Sequence, residues 1–386
     1  MAEAYIVDCV RTAGGRRNGA LRDWHPADMA GEVLNGLVRR TGITPEAIDD
    51  VVLGCVTQAG EQGFAFARNA VLASGLPQTV PAVTVDRQCG SSQQALQFAA
   101  QAVMSGTQDL VIAAGGESMS RVPMFSNITL HERESMGVGP FSDRIKHRFA
   151  VETFSQFEGA EMVAAKYGLD RDTLDRFALR SHQRASAATL AGCFVGQIIP
   201  LDVANGQHTR DEGIRDDTTL EAIGSVKLLK DGGVISAANA RQICDGASAV
   251  LVVNGRGLKE HGLTPMARIV NMTVSAGDPV IMLEEPIFAT QKALARAGMT
   301  IDDIDLYEVN EAFAPVPLAW QKALSADPDK LNVNGGAIAL GHPLGATGTK
   351  LMATLVHELR ARRGRYGLLA ICEGGGTANV TIVEAL

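Results

Sequence analysis

Residues 82–116, AVTVDRQCGSSQQALQFAAQAVMSGTQDLVIAAGG, decide the fold. The short run Ala82–Asp86 has strand character. It passes through Arg87-Gln88-Cys89-Gly90 into Ser91–Ser105, an alanine-rich stretch of helical pattern, and the chain returns as the apolar run Leu110–Ala114, ending in Gly115-Gly116. Strand, helix and strand in that order predict parallel sheet covered by helices. Upstream, Ala4–Val10 and Asp50–Cys55 read as two more strands. Phe66–Gly75 reads as a helix, as does Ala27–Thr41, whose Met29, Val33, Leu37 and Val38 fall on one side.

The last third repeats this pattern. Ile304–Val309 reads as a strand, Glu311–Leu324 as a helix, Gly341–Arg362 as a glycine-led helix, and Gly367–Ile371 as a strand ending in Cys372-Glu373-Gly374-Gly375-Gly376. Cysteine-glycine turn, helix, strand and glycine pair in the first third match histidine-glycine turn, helix, strand and glycine pair in the last, which suggests an internal duplication. Residues 121–244 have another texture, richer in charge and turn residues. They carry helical stretches at Glu158–Tyr167 and Arg171–Ala191 and no strong strand signal before Gly232–Ala237. An insertion of this kind is expected to lie over a site and select what enters it. The expected division is residues 1–120 with a return segment at 245–266, a lid at 121–244, and a second α/β half at 267–386.

Composition narrows the function classes. The chain has 386 residues, 46% of them hydrophobic and 20% charged, with 41 glycines, and a mildly apolar mean hydropathy of +0.06. This is the profile of a globular protein with buried strands or a large subunit interface. There is no apolar run of membrane-spanning length, and the first residues resemble no secretory leader, so a cytoplasmic location is expected. Six scattered cysteines form neither a CxxC pair nor a Cys/His cluster, so no metal site and no disulfide framework is expected. A net charge of −8 argues against nucleic acid. A few arginines at one pocket mouth can still hold phosphates.

Four residues stand at the carboxyl ends of the expected strands, where α/β sheets place their sites. Cys89 precedes a glycine-serine helix start, whose dipole and free N–H groups favour a thiolate. His342 lies in the turn Gly341-His342-Pro343-Leu344-Gly345, Cys372 ends a strand before three glycines that let backbone amides approach a ligand, and Asn310 closes the strand before Glu311-Ala312-Phe313. Each has a plainer structural reading, as core cysteine, hydrogen-bonding histidine or helix cap, but their joint placement favours chemistry.

The blocks Val85-Asp86-Arg87-Gln88-Cys89-Gly90-Ser91-Ser92, Asn310-Glu311-Ala312-Phe313-Ala314, Gly341-His342-Pro343-Leu344-Gly345 and Cys372-Glu373-Gly374-Gly375-Gly376 resemble the signature blocks of the thiolase family. Supporting matches run from Val10-Arg11-Thr12 through Ala114–Ser120 to the carboxyl terminus, so the likeness covers essentially the whole chain. It implies a layered αβαβα fold of two similar halves and thiolytic cleavage of 3-ketoacyl-CoA, or the reverse condensation. The resemblance makes Cys89 the acylated nucleophile, His342 its activating partner, Cys372 the second acid/base and Asn310 the holder of a water. Backbone N–H groups of Cys89 and Gly374 would meet the ketone oxyanion. Coenzyme A would be a substrate, with Arg215 near its adenine and Ala312 and Phe313 along its pantetheine, and no cofactor would be bound permanently. A homodimer or homotetramer is also implied.

The chain departs from the family pattern at three places. Arg241 stands where a pantetheine-contacting serine is common, Ser155-Gln156 where a His-Met pair is usual, and Glu373 with Thr377-Ala378-Asn379 where apolar and Met-Gly residues are familiar. Strand alternation should turn Glu373 away from Cys372, leaving the chemistry intact and the selectivity altered. Two competing readings remain. A decarboxylating ketosynthase has no need of Cys372, and a thiolase-like lipid carrier that has lost catalysis has no need of Cys89, His342 or Cys372.

Overall fold

The computed structural model describes residues 3–386. The strands along the main path of its large sheet are β1 (Tyr5–Arg11), β2 (Asp50–Gly54), β3 (Ala82–Val85), β4 (Leu110–Ser118), β5 (Cys244–Val253), β6 (Ala267–Ala276), β7 (Leu306–Val309), β8 (Tyr366–Glu373) and β9 (Thr377–Ala385), and Gly15–Arg16 and the hairpin Leu201–Val203 with Gly206–His208 lie off that path. They stand side by side in the order β7-β8-β9-β6-β1-β5-β4-β2-β3. The centre of that order is the short pairing of Tyr5 with Arg268 and Ile6 with Ala267. Outward from it the two directions match: β1–β5 and β6–β9 are antiparallel, β5–β4 and β9–β8 antiparallel, β4–β2 and β8–β7 parallel. The duplication expected from the sequence is therefore present in the topology.

The sheet is mixed, which corrects the expectation of parallel strands. Each strand joined to its neighbour through a covering helix does pair parallel, as β2 does with both β3 and β4. β9 follows β8 directly through a glycine turn, and without a crossover it can only run back antiparallel.

Helices α1 (Pro26–Thr41) and α2 (Phe66–Ala73) cover the outer face of the first half, sharing a core with Val51, Leu53, Ile112 and Leu251. α3 (Ser91–Ser105) lies in the middle layer. α4 (Gln156–Tyr167) and α5 (Arg171–Leu190) belong to the lid region, and α6 (Glu285–Ala297) and α7 (Pro315–Leu324) cover the second half, packing with α4 and α5 around Trp320 and Phe177. α8 (Thr347–Ala361) joins α3 between the halves, where Leu96, Val103, Leu351 and Met352 meet Val111 and Val250 from one side and Leu369 and Ile371 from the other. Five layers result. The halves face each other across the two central helices and are also joined edge to edge through β1 and β6.

Three local expectations change. The helix expected at Gly341–Arg362 begins only at Thr347, because Gly341 is left-handed (φ +79°) and Pro343 disfavours helix at the residue before it. The helix expected from Glu311 begins at Pro315, so Glu311–Ala314 form an extended approach bridged to Ala240. Gly232–Ala237 is no strand of a sheet, since the Val234 and Ile235 N–H groups are taken by the Glu161 carboxylate (each 3.0 Å).

The central helices approach each other through glycine. A Cβ on Gly348 would overlap the Gln93 backbone nitrogen, one on Gly54 would come within 2.7 Å of the Gly345 oxygen, and one on Gly345 within 2.6 Å of Cys55 Cα. The buried Glu117 at the end of β4 fastens the same place: it accepts N–H bonds from Val56, Thr57 and Gly345 (each 2.9 Å) and one from the Gln62 amide (2.9 Å). The lid is tied on by a buried pair in which Arg11 holds both oxygens of Asp211 (2.8 and 3.0 Å).

Gly348→Ala should therefore destabilise the fold by at least about 1–3 kcal/mol, the usual range for overpacking a core. Gly255→Ala, at a position where nothing lies within 4 Å, should change stability by less than about 0.5 kcal/mol. Thermal melts of the two variants test this, and equal midpoints would contradict the crowding of α3 against α8.

Candidate active site

Cys89 sits at the turn from β3 into α3. Gln88 before it is held left-handed (φ +48°), and Ser91 closes the turn, its hydroxyl accepting the Arg87 N–H (2.9 Å) and donating to the Gln88 carbonyl (2.6 Å). The side chain of Cys89 is half-buried among Met124, Ile243 and Leu344. Gly90 must be glycine, because a Cβ there would fall on the Glu373 carboxylate. Burial pushes the Cys89 thiol up to about 11, against the pull of the Arg241 cation. The sequence expectation that the helix start lowers this pKa is thus corrected: removal from water outweighs it, and the resting group is a thiol that needs a base.

His342 is fixed from several sides. Its N–H donates to the Gln242 carbonyl (3.2 Å), and the buried Lys350 of α8 donates to the Leu340 and Gly341 carbonyls just before it (2.6 and 2.9 Å). Its Nδ1 lies 2.6 Å from Thr347 Oγ1, whose own proton goes to the Pro343 carbonyl (2.9 Å). That hydroxyl can only accept from the ring. The proton is therefore assigned to Nδ1, and Nε2 keeps a lone pair, facing the Asn310 amide nitrogen at 3.4 Å. Burial, then the cations Arg241 and Lys350, hold the imidazole well below its usual pKa, so it rests neutral. Asn310, at the end of β7, has its Oδ1 buried with no protein partner, an acceptor suited to a water.

Cys372, at the end of β8, is buried, and its pKa is raised first by burial and next by the charge of Cys89, with Arg241 opposing both. The two thiols thus share one neighbourhood. The strand end and its Gly374-Gly375-Gly376 turn bring Gly374 beside Gln88, where a Cβ would lie 2.9 Å from Gln88 Oε1. Glu373 points the other way, as strand alternation requires. It accepts from the Thr377 hydroxyl (2.7 Å) and, with the Asn379 amide turned to satisfy its neighbours, from that amide (3.2 Å), and burial pushes its pKa up to about 8.

Cys89, His342, Asn310, Cys372 and Gly374 are brought together. Ala312 and Phe313 join them, the Ala312 carbonyl accepting the Arg241 backbone N–H (3.2 Å) and the Phe313 ring lying under the Arg241 guanidinium (5.3 Å to its centre) and edge-on to Phe157 (5.5 Å). Arg215 stands apart on the exposed lid, its backbone N–H on His182 Nδ1 (3.2 Å). Ser155 serves as the amino-terminal cap of α4. Sequence reasoning missed Glu117, Thr347 and Lys350, which touch no substrate-facing position and act by holding His342 and its loop. Their signal is weak, since a threonine five residues and a lysine eight residues past a histidine carry no recognisable spacing.

Comparison with known proteins identifies the family of this chain. Residues 4–256 match the family model described as thiolase, N-terminal domain, and residues 263–385 that described as thiolase, C-terminal domain. The chain is 51% identical to a protein of Mycobacterium tuberculosis named steroid 3-ketoacyl-CoA thiolase, over 100% of this chain and 95% of the relative. It is 41% identical to a 3-ketoacyl-CoA thiolase of Photobacterium profundum over the whole of both. The fold superposes with a TM-score of 0.90 on human mitochondrial 3-ketoacyl-CoA thiolase in complex with CoA, at 36% identity over 100% of this chain and 99% of that one. An acetyl-CoA acetyltransferase of Bacillus anthracis gives the same TM-score at 34% identity, with the same coverage. The chain belongs to the thiolase family, enzymes that transfer acyl groups by cleaving 3-ketoacyl-CoA or forming it.

Proposed function

We propose that thiolysis runs through an acyl thioester on Cys89, with His342 as its base and Cys372 as the second proton-transfer group. The observation that carries this reading is the gathering of Cys89, Cys372 and His342 in one neighbourhood, with Nδ1 of the imidazole held by Thr347 and Nε2 turned to the Asn310 amide, while burial keeps both sulfurs as thiols and the ring neutral. His342 Nε2 takes the Cys89 proton as the sulfur attacks the substrate ketone, and the oxyanion is met by the Cys89 and Gly374 backbone N–H groups. The carbon–carbon bond then breaks. Cys372, held protonated by burial, gives its proton to the departing acetyl-CoA enolate, whose oxygen is met by the newly protonated His342 and a water on Asn310. Coenzyme A, a passing substrate, then gives its thiol proton to the Cys372 thiolate, its sulfur takes the acyl group, and the released Cys89 sulfur recovers the proton held by His342. A decarboxylating ketosynthase would have no use for Cys372, and a non-catalytic carrier none for this arrangement.

The relative named for steroid 3-ketoacyl-CoA supports acyl groups larger than acetoacetyl, as do Gln156 and Arg241 at the departures from the family pattern, whereas Thr377 bonds to Glu373 behind β8. Ala312 and Phe313 would flank the pantetheine, and Arg215, on the lid, would meet the adenine end. A homo-oligomer is supported by the bare edge strand β3, where Val83 is 47% exposed, and by Phe64, 93% exposed nearby in sequence. No described helix is long and apolar enough to cross a membrane. We place the enzyme in the cytoplasm, with acyl-CoA and CoA as its small-molecule partners.

Three results are expected. Cys89→Ala should form no acyl-enzyme with acyl-CoA, whereas Cys372→Ala should still acylate Cys89 but no longer exchange the C2 protons of acetyl-CoA with deuterated solvent. Intact-protein mass spectrometry and proton NMR read the two steps, and exchange at the wild-type rate without Cys372 would refute its role. Alkylation of Cys89 by iodoacetamide should climb steadily from pH 7 to pH 10, because the thiol stays protonated to about 11; a plateau near pH 8.5 would show that burial does not dominate. Finally, kcat/KM should be higher for long, branched or cyclic 3-ketoacyl-CoA esters than for acetoacetyl-CoA, and the reverse order would overturn the substrate reading.

A further inference from the structure

Among the described residues the charge of Arg241 has no ionic partner. The residue lies on the strand-like approach to β5, held by its own N–H on the Ala312 carbonyl and by Gln242, whose amide donates to the Gly213 and Ile338 carbonyls (2.8 and 2.7 Å). Its guanidinium is half-buried over the Phe313 ring, with Nη2 3.6 Å from Met124 Sδ and Nη1 3.5 Å from the Ala312 carbonyl. These are weak contacts for five N–H donors. No carboxylate among the described residues lies within ion-pair distance of it, whereas the buried Arg11 and the half-buried Arg171 and Arg268 each have one.

The carboxylates that could have turned toward it are already engaged. Glu117 holds the Val56, Thr57 and Gly345 N–H groups, and Asp245 the Ser120 N–H and hydroxyl (2.8 and 2.5 Å). Glu311 holds Ser181, Asn332 and the Ile338 N–H (2.7, 3.0 and 3.0 Å), and Glu373 holds Thr377. A guanidinium partly withdrawn from water with no anion beside it carries an electrostatic cost that an arriving anion removes. The ionisable groups whose charge reaches Arg241 are Cys89 and Cys372, and both rest as neutral thiols.

We propose that Arg241 receives a carboxylate on the acyl part of the substrate, so that this thiolase acts on 3-ketoacyl-CoA thioesters whose acyl chain also carries a free carboxylate. The proposal rests on the thiolytic reading above. In that reading the ketone and thioester oxygens have their own donors, and the phosphates of coenzyme A belong at the lid, which leaves the acyl chain as the source of an anion inside the site. Arginine suits the task. Its planar fork matches a carboxylate bidentately, and the ring beneath it and the sulfur beside it fix the plane without neutralising the charge. The class of reaction that supplies such a substrate is one that leaves a carboxylic acid at one end of a carbon chain and a CoA thioester at the other, such as hydrolytic opening of a ring that carries the thioester.

The test compares CoA monothioesters of 3-oxo dicarboxylic acids of six, eight and ten carbons with their terminal methyl esters, in the wild type, Arg241→Met and Arg241→Lys. The wild type is expected to favour the free acid over its methyl ester in kcat/KM by at least about 100-fold at the best chain length, the discrimination a buried charge pair gives. In Arg241→Met this ratio should fall to near one, and in Arg241→Lys to an intermediate value. A wild-type ratio near one overturns the proposal without any variant having to fold. A parallel loss on acid and ester in Arg241→Met, with the ratio kept, also overturns it and assigns Arg241 to the pantetheine or the reacting atoms. If the wild type cleaves none of these esters and no 3-ketoacyl-CoA with an uncharged chain, the thiolytic reading itself fails; cleavage of uncharged chains alone sinks only the carboxylate.

Discussion

The close approach of α3 and α8 is the constraint on which the site depends. Each helix is led by a turn carrying a reactive group, Cys89 before α3 and His342 before α8, and the glycines at 54, 345 and 348 are what let those turns come within reach of each other. A side chain at any of them would push the two halves apart at the point where they share chemistry. Glu117 completes the contact by joining one half's β2–α2 connection to the other half's histidine loop through three backbone N–H bonds. Its pKa is nevertheless raised by burial, against those bonds, so the fastening is geometric more than electrostatic: it satisfies N–H groups that would be costly to bury alone.

Burial determines how the site rests. It raises both thiols and depresses the imidazole, so Cys89, Cys372 and His342 all wait uncharged, while the cation Arg241 favours the thiolate form of either sulfur and, together with Lys350, disfavours protonated histidine. Arg241 therefore biases the site toward carrying negative charge. An anionic acyl chain bound there would neutralise that bias, and the charge of the transition state would then rest mainly on the backbone N–H groups and His342. Selectivity and reactivity are coupled through one side chain.

The repeated strand–helix–strand pattern, the order of the motifs and the placement of Cys89, Asn310, His342 and Cys372 at strand ends and turns were legible because each rests on local signals: short apolar runs and glycine turns. What the sequence hid was non-local. β5, β6 and β9 pair antiparallel through contacts between segments far apart in the chain, and no periodicity announces which strand lies beside which. The start of α8 moved to Thr347 because Gly341 and Pro343 act on the backbone before the helical pattern does. The pKa of Cys89 was misread for a related reason: the helix start was visible in Gly90-Ser91-Ser92, whereas the burial that opposes it comes from Met124, Ile243 and Leu344, three distant parts of the chain.

The polar substitutions behind the last hairpin follow the same logic of separation by alternation. Glu373 and Cys372 are neighbours in β8, yet one faces Gly90, Thr377 and Asn379 and the other lies within the electrostatic reach of Cys89 and Arg241. A carboxyl with its pKa near 8 can be carried so close to two thiols because the strand puts the backbone between them and because Thr377 and Asn379 donate to its oxygens. Apolar residues at these positions would fill the same space, so the trio is a repacking that leaves the reacting side of the strand as it was. Arg241 is the departure that stands on the reacting side. A change there alters what the site can hold, whereas a change behind β8 alters only what the strand rests upon.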